Sequence, residues 1–146
     1  MTIYSNNQLA SISLRIWSGL FDYIIIFGFI LIVVRLKTNE IDGTITIENP
    51  IPIILFWLFM TVITEWFLGG TLGKYVIGLR VISLKTGKKA SFAQSFVRHL
   101  FDLIDMLFFG LVGIMYIKFS SKNQRMGDLI ASTIVVNTNK NVSQNT

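Results

Sequence analysis

Ile16–Val34 reads IWSGLFDYIIIFGFILIVV, nineteen residues with a single charge at Asp22. At 1.5 Å per residue, such a helix covers about 28 Å, close to the ~30 Å hydrocarbon core of a bilayer. Two more apolar stretches follow. Ile51–Leu68 carries Glu65 near its end, and Leu100–Ile117 carries Asp102 and Asp105 near its start. In lipid only a helix satisfies its own backbone, so these stretches predict an all-α polytopic membrane protein. Ile16–Val34 is closed by Arg35 and Lys37 and has no small-residue cleavage site after it, so it reads as a retained span rather than a signal peptide.

Composition agrees. Charged residues make up 14% of the 146, against about 25% in soluble domains, and mean hydropathy is +0.61. The chain has no Cys and one His, His99, which excludes disulfides, thiol catalysis and a multi-histidine metal site. The net charge of +5 comes from bases flanking apolar segments. They read as topology signals and charge for an anionic lipid surface, so the lipid bilayer is the expected partner and nucleic acid is not.

Between the first two segments, Arg35–Pro50 is short and polar, and its Thr44–Glu48 stretch alternates like a brief strand. Pro50 and Pro52 suit a helix start. Gly69–His99 is basic, with Lys74, Arg80, Lys85, Lys88, Lys89 and Arg98 and no acid. Within it Leu79–Leu84 predicts a strand and Lys85–Lys88 a turn. Ser91 and Gln94 predict a capping box opening a helix near Phe92. A short helix ending at Ala131 and a strand at Thr133–Val136 should follow. Residues 1–136 form one expected membrane domain, and 137–146 a polar, disordered tail.

One base lies at or before Arg15, two in the first loop, six in Gly69–His99 and four after Ile117. Three full spans set seven against six, with almost no positive-inside bias, whereas two spans set eleven against two. The preferred reading is two full transmembrane helices plus a broken or re-entrant third segment, with Gly110 and Gly113 offering the break. A third full span is the rival. Either way the N-terminus and the basic loop 69–99 are expected in the cytoplasm, and in the re-entrant reading the two strand-like pieces meet there.

Candidate chemistry sits on helix faces. Arg15 and Asp22 are seven apart, on one face with Ser18 and about 10 Å apart along the axis. An intramembrane carboxylate costs roughly 2.5–3.5 kcal/mol on insertion scales and points to function, with a bundle-internal Asp, protonated or bonded to a neighbouring helix, as the equal alternative. Arg98, Asp102 and Asp105 share another face and offer oxygen ligands to Na⁺ or a proton relay, or a plain Arg98–Asp102 pair. Glu65 reads as a water-accessible interfacial carboxylate, His99 as an interfacial contact, and Arg125 with Asp128 as a local salt bridge. Gly70–Lys74 does not make a phosphate loop: the spacing is short, Tyr75 stands where Ser or Thr is required, and no strand precedes it. No nucleophile–base pair is legible, so neither an enzyme nor a cofactor is expected.

Arg15 at the start of the first helix and Asp22 inside it, the loop Gly70-Thr71-Leu72-Gly73-Lys74 with Gly78-Leu79-Arg80-Val81, and Arg125-Met126-Gly127-Asp128-Leu129-Ile130-Ala131 then Thr133 together resemble the RDD family of small bacterial membrane proteins. Ser132 stands where that family usually has Gly. Its second aspartate corresponds to either Asp102 or Asp128. The resemblance, spanning roughly Leu9 to Val136, implies a bacterial cell membrane and transport, with sodium–proton antiport assigned to some members. Asp22 is then the expected ion or proton site, helped by Asp105 or Asp102 and tuned by Arg15 and Arg98. So few spans enclose little volume, so a pathway calls for a homo-oligomer. The alternative is a non-transporting scaffold or assembly factor whose basic loop binds anionic lipid or a partner protein.

Overall fold

The computed structural model describes residues 8–37, 49–107 and 111–139. The first apolar run becomes α1 (Ile12–Lys37), 26 residues and longer at both ends than its apolar core. The second is one continuous helical rod in three parts. These are α2 (Ile51–Leu58), a π-helical turn (Phe59–Ile63) and α3 (Thr64–Leu68). Pro50 and Pro52 sit at its start, where a missing N–H costs nothing. Among the described residues, α1 and this rod are the two helices long and apolar enough to cross a membrane. They run antiparallel, with Phe29 stacked on Phe56 at 3.8 Å between ring centres. Their outward faces are unsuited to water: Trp17, Ile24 and Leu31 on α1 and Phe67 on the rod are all more than 60% exposed.

Gly69 ends α3 in the left-handed conformation, and α4 (Leu72–Ile77) follows and packs on α1. Gly78 ends α4 in the same way, with φ +80°, and leads into β1 (Leu79–Ser83). The predicted turn folds the chain back on itself, with Ser83 N–H donating to Lys88 O at 2.8 Å. The predicted capping box is present: Ser91 N–H donates to Gln94 Oε1 at 3.1 Å, and Gln94 N–H to Ser91 Oγ at 3.3 Å.

The third apolar segment is divided between α5 (Phe92–Leu107) and α6 (Leu111–Phe119). No single described helix covers it. Then come α7 (Met126–Ile130) and β2 (Thr133–Asn137). The two expected strands do meet: β1 and β2 pair antiparallel, with Val81 opposite Val135. Leu9 bridges to Val136 on the same small sheet, and Ala10, Leu79, Val81, Ala90 and Val135 form its buried core. β2 extends one residue beyond the expected strand, and Thr138 still donates to Gly78 O. The Thr44–Glu48 stretch, Gly110 and residues 140–146 lie outside the described residues.

One close approach and one positive φ constrain the backbone here. A Cβ on Gly73 would lie 2.1 Å from Ser18 O, so α4 touches α1 backbone to backbone. Ser132 has φ +53°, in the region glycine adopts freely and a residue with a side chain adopts at a cost. The Gly73→Ala variant should force α4 off α1 and lower stability by roughly 1–3 kcal/mol or more. Thermal unfolding of purified protein in detergent measures this, and an unchanged midpoint would contradict the close contact.

Candidate functional site

The ends of the spans that carry Arg15 and Glu65 are sealed by a layer of charge. α5 presents Ser95, Arg98, His99 and Asp102 inward on one face, while Phe92, Phe96 and Leu100 point outward. This is an amphipathic helix with its polar side in. Burying so many ionisable groups is affordable only if each is paired.

Among the described residues, Asp128 is the most heavily bonded carboxylate. Its Oδ2 accepts from Arg15 and from Arg125 N–H at 3.0 Å, and its Oδ1 from Arg98 Nε and Nη2, both at 2.8 Å. Burial raises its proton affinity, but Arg15 and Arg98 more than offset this and hold the carboxyl far below its usual range. Glu65, fully buried, accepts from Arg98 Nη1 at 2.8 Å and Lys74 Nζ at 3.2 Å. Arg98 therefore bridges two acids from different helices. Burial pushes the Lys74 ammonium below its usual range, against the pull of Glu65.

His99 lies between carboxylates. Nδ1 is 2.6 Å from Asp102 Oδ2, and Nε2 is 3.4 Å from Glu65 Oε2 but makes no hydrogen bond among the described residues. Burial alone would depress the imidazole; Glu65 and Asp102 outweigh it and raise the pKa above 6.5. Arg125 approaches Asp102 at 3.8 Å.

Asp22 belongs to the same layer but is held differently. Its Oδ2 accepts from Thr71 Oγ1 at 2.6 Å and its Oδ1 from Gly73 N–H at 2.7 Å, so it caps α4 from another helix. Among the described residues no ion pair reaches it. A cavity of about 30 Å³ opens beside it, bordered by Asp22, Thr61, Thr71, His99 and Asp102 and by the bases Arg15, Lys74 and Arg125. That is room for about one water or one bare ion.

A model of the RDD family matches residues 9–132. The chain belongs to the RDD family. It is similar to YteJ, an uncharacterized membrane protein of Bacillus subtilis (strain 168), with 30% identity over 132 residues covering 84% of this chain and 77% of that protein. No solved structure matches. This is thus a membrane protein of the RDD family with two helices long and apolar enough to cross a membrane.

Several expected pairings are replaced. Arg15 engages Asp128, not Asp22, because α7 packs against α5 at the mouth of α1. Of the two aspartates left open by the family resemblance, Asp128 is the one in contact with Arg15. Arg98 pairs with Glu65 and Asp128 rather than Asp102, which bonds His99 instead. Arg125 and Asp128 are joined through the Arg125 backbone, while the guanidinium faces Asp102. Glu65 is sealed from water and His99 is only 3% exposed, so both contact protein rather than water. The side chain of Asp105 lies outside the described residues. Lys74 and the π turn that presents Thr61 were not singled out from sequence. Thr61 and Thr64 in an apolar run, and Gly73 before Lys74, were the available signals.

Replacing Asp128 by Ala leaves two buried guanidiniums short of a partner and should cost roughly 3–5 kcal/mol. The pair Arg15→Met with Asp128→Leu should cost less than the sum of its single changes. Unfolding midpoints of the three variants in one detergent test this, and simple additivity would mean that the two side chains do not interact.

Proposed function

We propose that this RDD protein exchanges a small monovalent cation such as Na⁺ for a proton, using the cavity beside Asp22. The observation that carries the reading is the charge balance around that cavity. Among the described residues the layer holds Asp22, Glu65, Asp102 and Asp128 against Arg15, Lys74, Arg98 and Arg125. Four negative and four positive groups cancel, which leaves His99 to decide whether the layer is neutral or carries one positive charge.

A cation entering beside Asp22 adds the same charge that protonation of His99 adds. In a buried site each disfavours the other, so ion and proton compete for one place. Such competition is what antiport needs. The Asp22 and Asp102 carboxylates with the hydroxyls of Thr61 and Thr71 supply the oxygen donors a hard cation takes. Because two spans enclose little space, a homo-oligomer completes the pathway.

Liposomes holding the purified protein and an internal pH dye, challenged in turn with Na⁺, Li⁺ and K⁺, test this. One cation should drive proton movement. Asp22→Asn keeps an acceptor oxygen for α4 and should slow exchange roughly tenfold or more, the effect of about 1.4 kcal/mol lost at the site. Exchange should rise with pH above 6.5 as His99 gives up its proton, and His99→Gln should flatten that rise. If folded, inserted protein moves no proton with any cation, transport is rejected and the scaffold role takes its place.

The orientation proposed is N-terminus and Gly69–His99 loop in the cytoplasm of the bacterial cell, following the eleven-to-two distribution of bases. The chain has no native Cys, so single cysteines at Lys85 and Asn49 report directly. In intact cells an impermeant thiol reagent should label position 49 and spare position 85, and the reverse pattern would invert the topology.

A further inference from the structure

The outward face of α5 has no place in the ion-exchange reading, and it is apolar. Phe92, Phe96 and Leu100, spaced four apart, are 47%, 42% and 49% exposed. This row continues the lipid-exposed surface of the second span. Trp66 at the end of α3 meets Phe92 edge-on at 6.0 Å, and Phe92 stacks on Phe96 at 6.4 Å. Aromatic residues at a span's end favour the headgroup level of a bilayer. α5 therefore leaves the span along the membrane surface, with its apolar side toward the acyl chains.

Beside this row lies a groove of about 470 Å³ between the turn after β1, α5 and α7. One wall is mostly apolar, from Val97, Ile130 and Ala131 with Ser83 and Gln94 between them, and Lys85, Lys89, Thr86 and Ser91 line the other side. No acid occurs anywhere from Gly69 to Leu100. Lys89 is steadied by donating to Phe67 O at 3.1 Å, which fixes the rim to the end of the span. A cationic, hydroxyl-bearing side facing a mostly apolar wall, next to a lipid-facing aromatic row, matches one amphiphile: a phosphate headgroup with acyl chains beside it.

We propose that this groove binds an anionic phospholipid, its headgroup phosphate at Lys85 and Lys89 and its chains along Val97, Phe96 and Leu100. The occupant is a bilayer lipid rather than a free anion, because the apolar wall and aromatic row have nothing to offer a small phosphate. The site stands independently of ion exchange, and failure of the exchange assay would leave it intact.

The test uses full-length protein in phosphatidylcholine nanodiscs, with Trp17 and Trp57 replaced by Phe so that Trp66 alone reports. Trp66 should be quenched by chain-brominated phosphatidylglycerol at lower mole fraction than by chain-brominated phosphatidylcholine. The K85Q/K89Q variant should reduce that preference by roughly thirtyfold, the factor for two lysines beside an acidic surface, and K85R/K89R should keep it. Equal quenching by both lipids, or a preference unchanged in K85Q/K89Q, overturns the site. Loss of the preference on adding soluble glycerol phosphate would make it a free-anion site and overturn the lipid assignment. Protection of Trp66 from both lipids, with crosslinks between copies through α5, would give the face to a second copy and also overturn it.

Discussion

Arg98 bridging Asp128 and Glu65 is the contact on which the rest of the molecule depends. Through it α3, α5 and α7 share one buried charge, and Arg15 and Lys74 extend the chain to α1 and α4. A charge moved from water into a protein interior costs several kcal/mol even after relaxation, and hydrogen-bonded opposite charges must return it. The apolar helices alone have little reason to prefer one arrangement in lipid, because hydrocarbon tails are as apolar as Leu. The charge layer supplies that preference. It fixes which helix ends meet and at what depth.

Glycine makes the layer geometrically possible. Gly73 lets α4 reach the backbone of α1, which brings Thr71 and the Gly73 N–H to Asp22. Gly127 does the same for α7 on α5, since a Cβ there would meet Arg98 O at 2.7 Å. Both glycines adjoin a charged residue of the layer, Lys74 and Asp128. Each pair combines close approach with a group that only close approach can satisfy. The π turn contributes in the same region by carrying Thr61 to the cavity and packing on α5.

The layer also gives α5 its inverted character. Its polar residues are consumed inside, so its apolar residues are left outside. In water this would be unstable; at a bilayer surface it is favourable. Of the six bases in Gly69–His99, Lys74 and Arg98 are buried in the layer, whereas Lys85, Lys88 and Lys89 remain exposed. The loop that reads as one basic segment thus divides into a structural part and a surface part.

Composition and segment length were enough to decide the class of this protein, because lipid permits only self-satisfied helices and those need about 20 apolar residues each. The strands at Leu79 and Thr133, the turn at Lys85–Lys88 and the capping box at Ser91 were legible too, since each depends on neighbours close in the chain. Inward residues such as Arg15, Asp22 and Arg98 could be named from helix periodicity. Their partners could not. Arg15 and Asp128 are 113 residues apart, and Arg98 and Glu65 are 33 apart. Spacing along a helix says which side chains share a face, but charges choose partners by distance in three dimensions. Only the packing of α7 and α3 against α5 decided that Arg98 leaves Asp102 for Glu65 and Asp128, and that Glu65 is sealed from water.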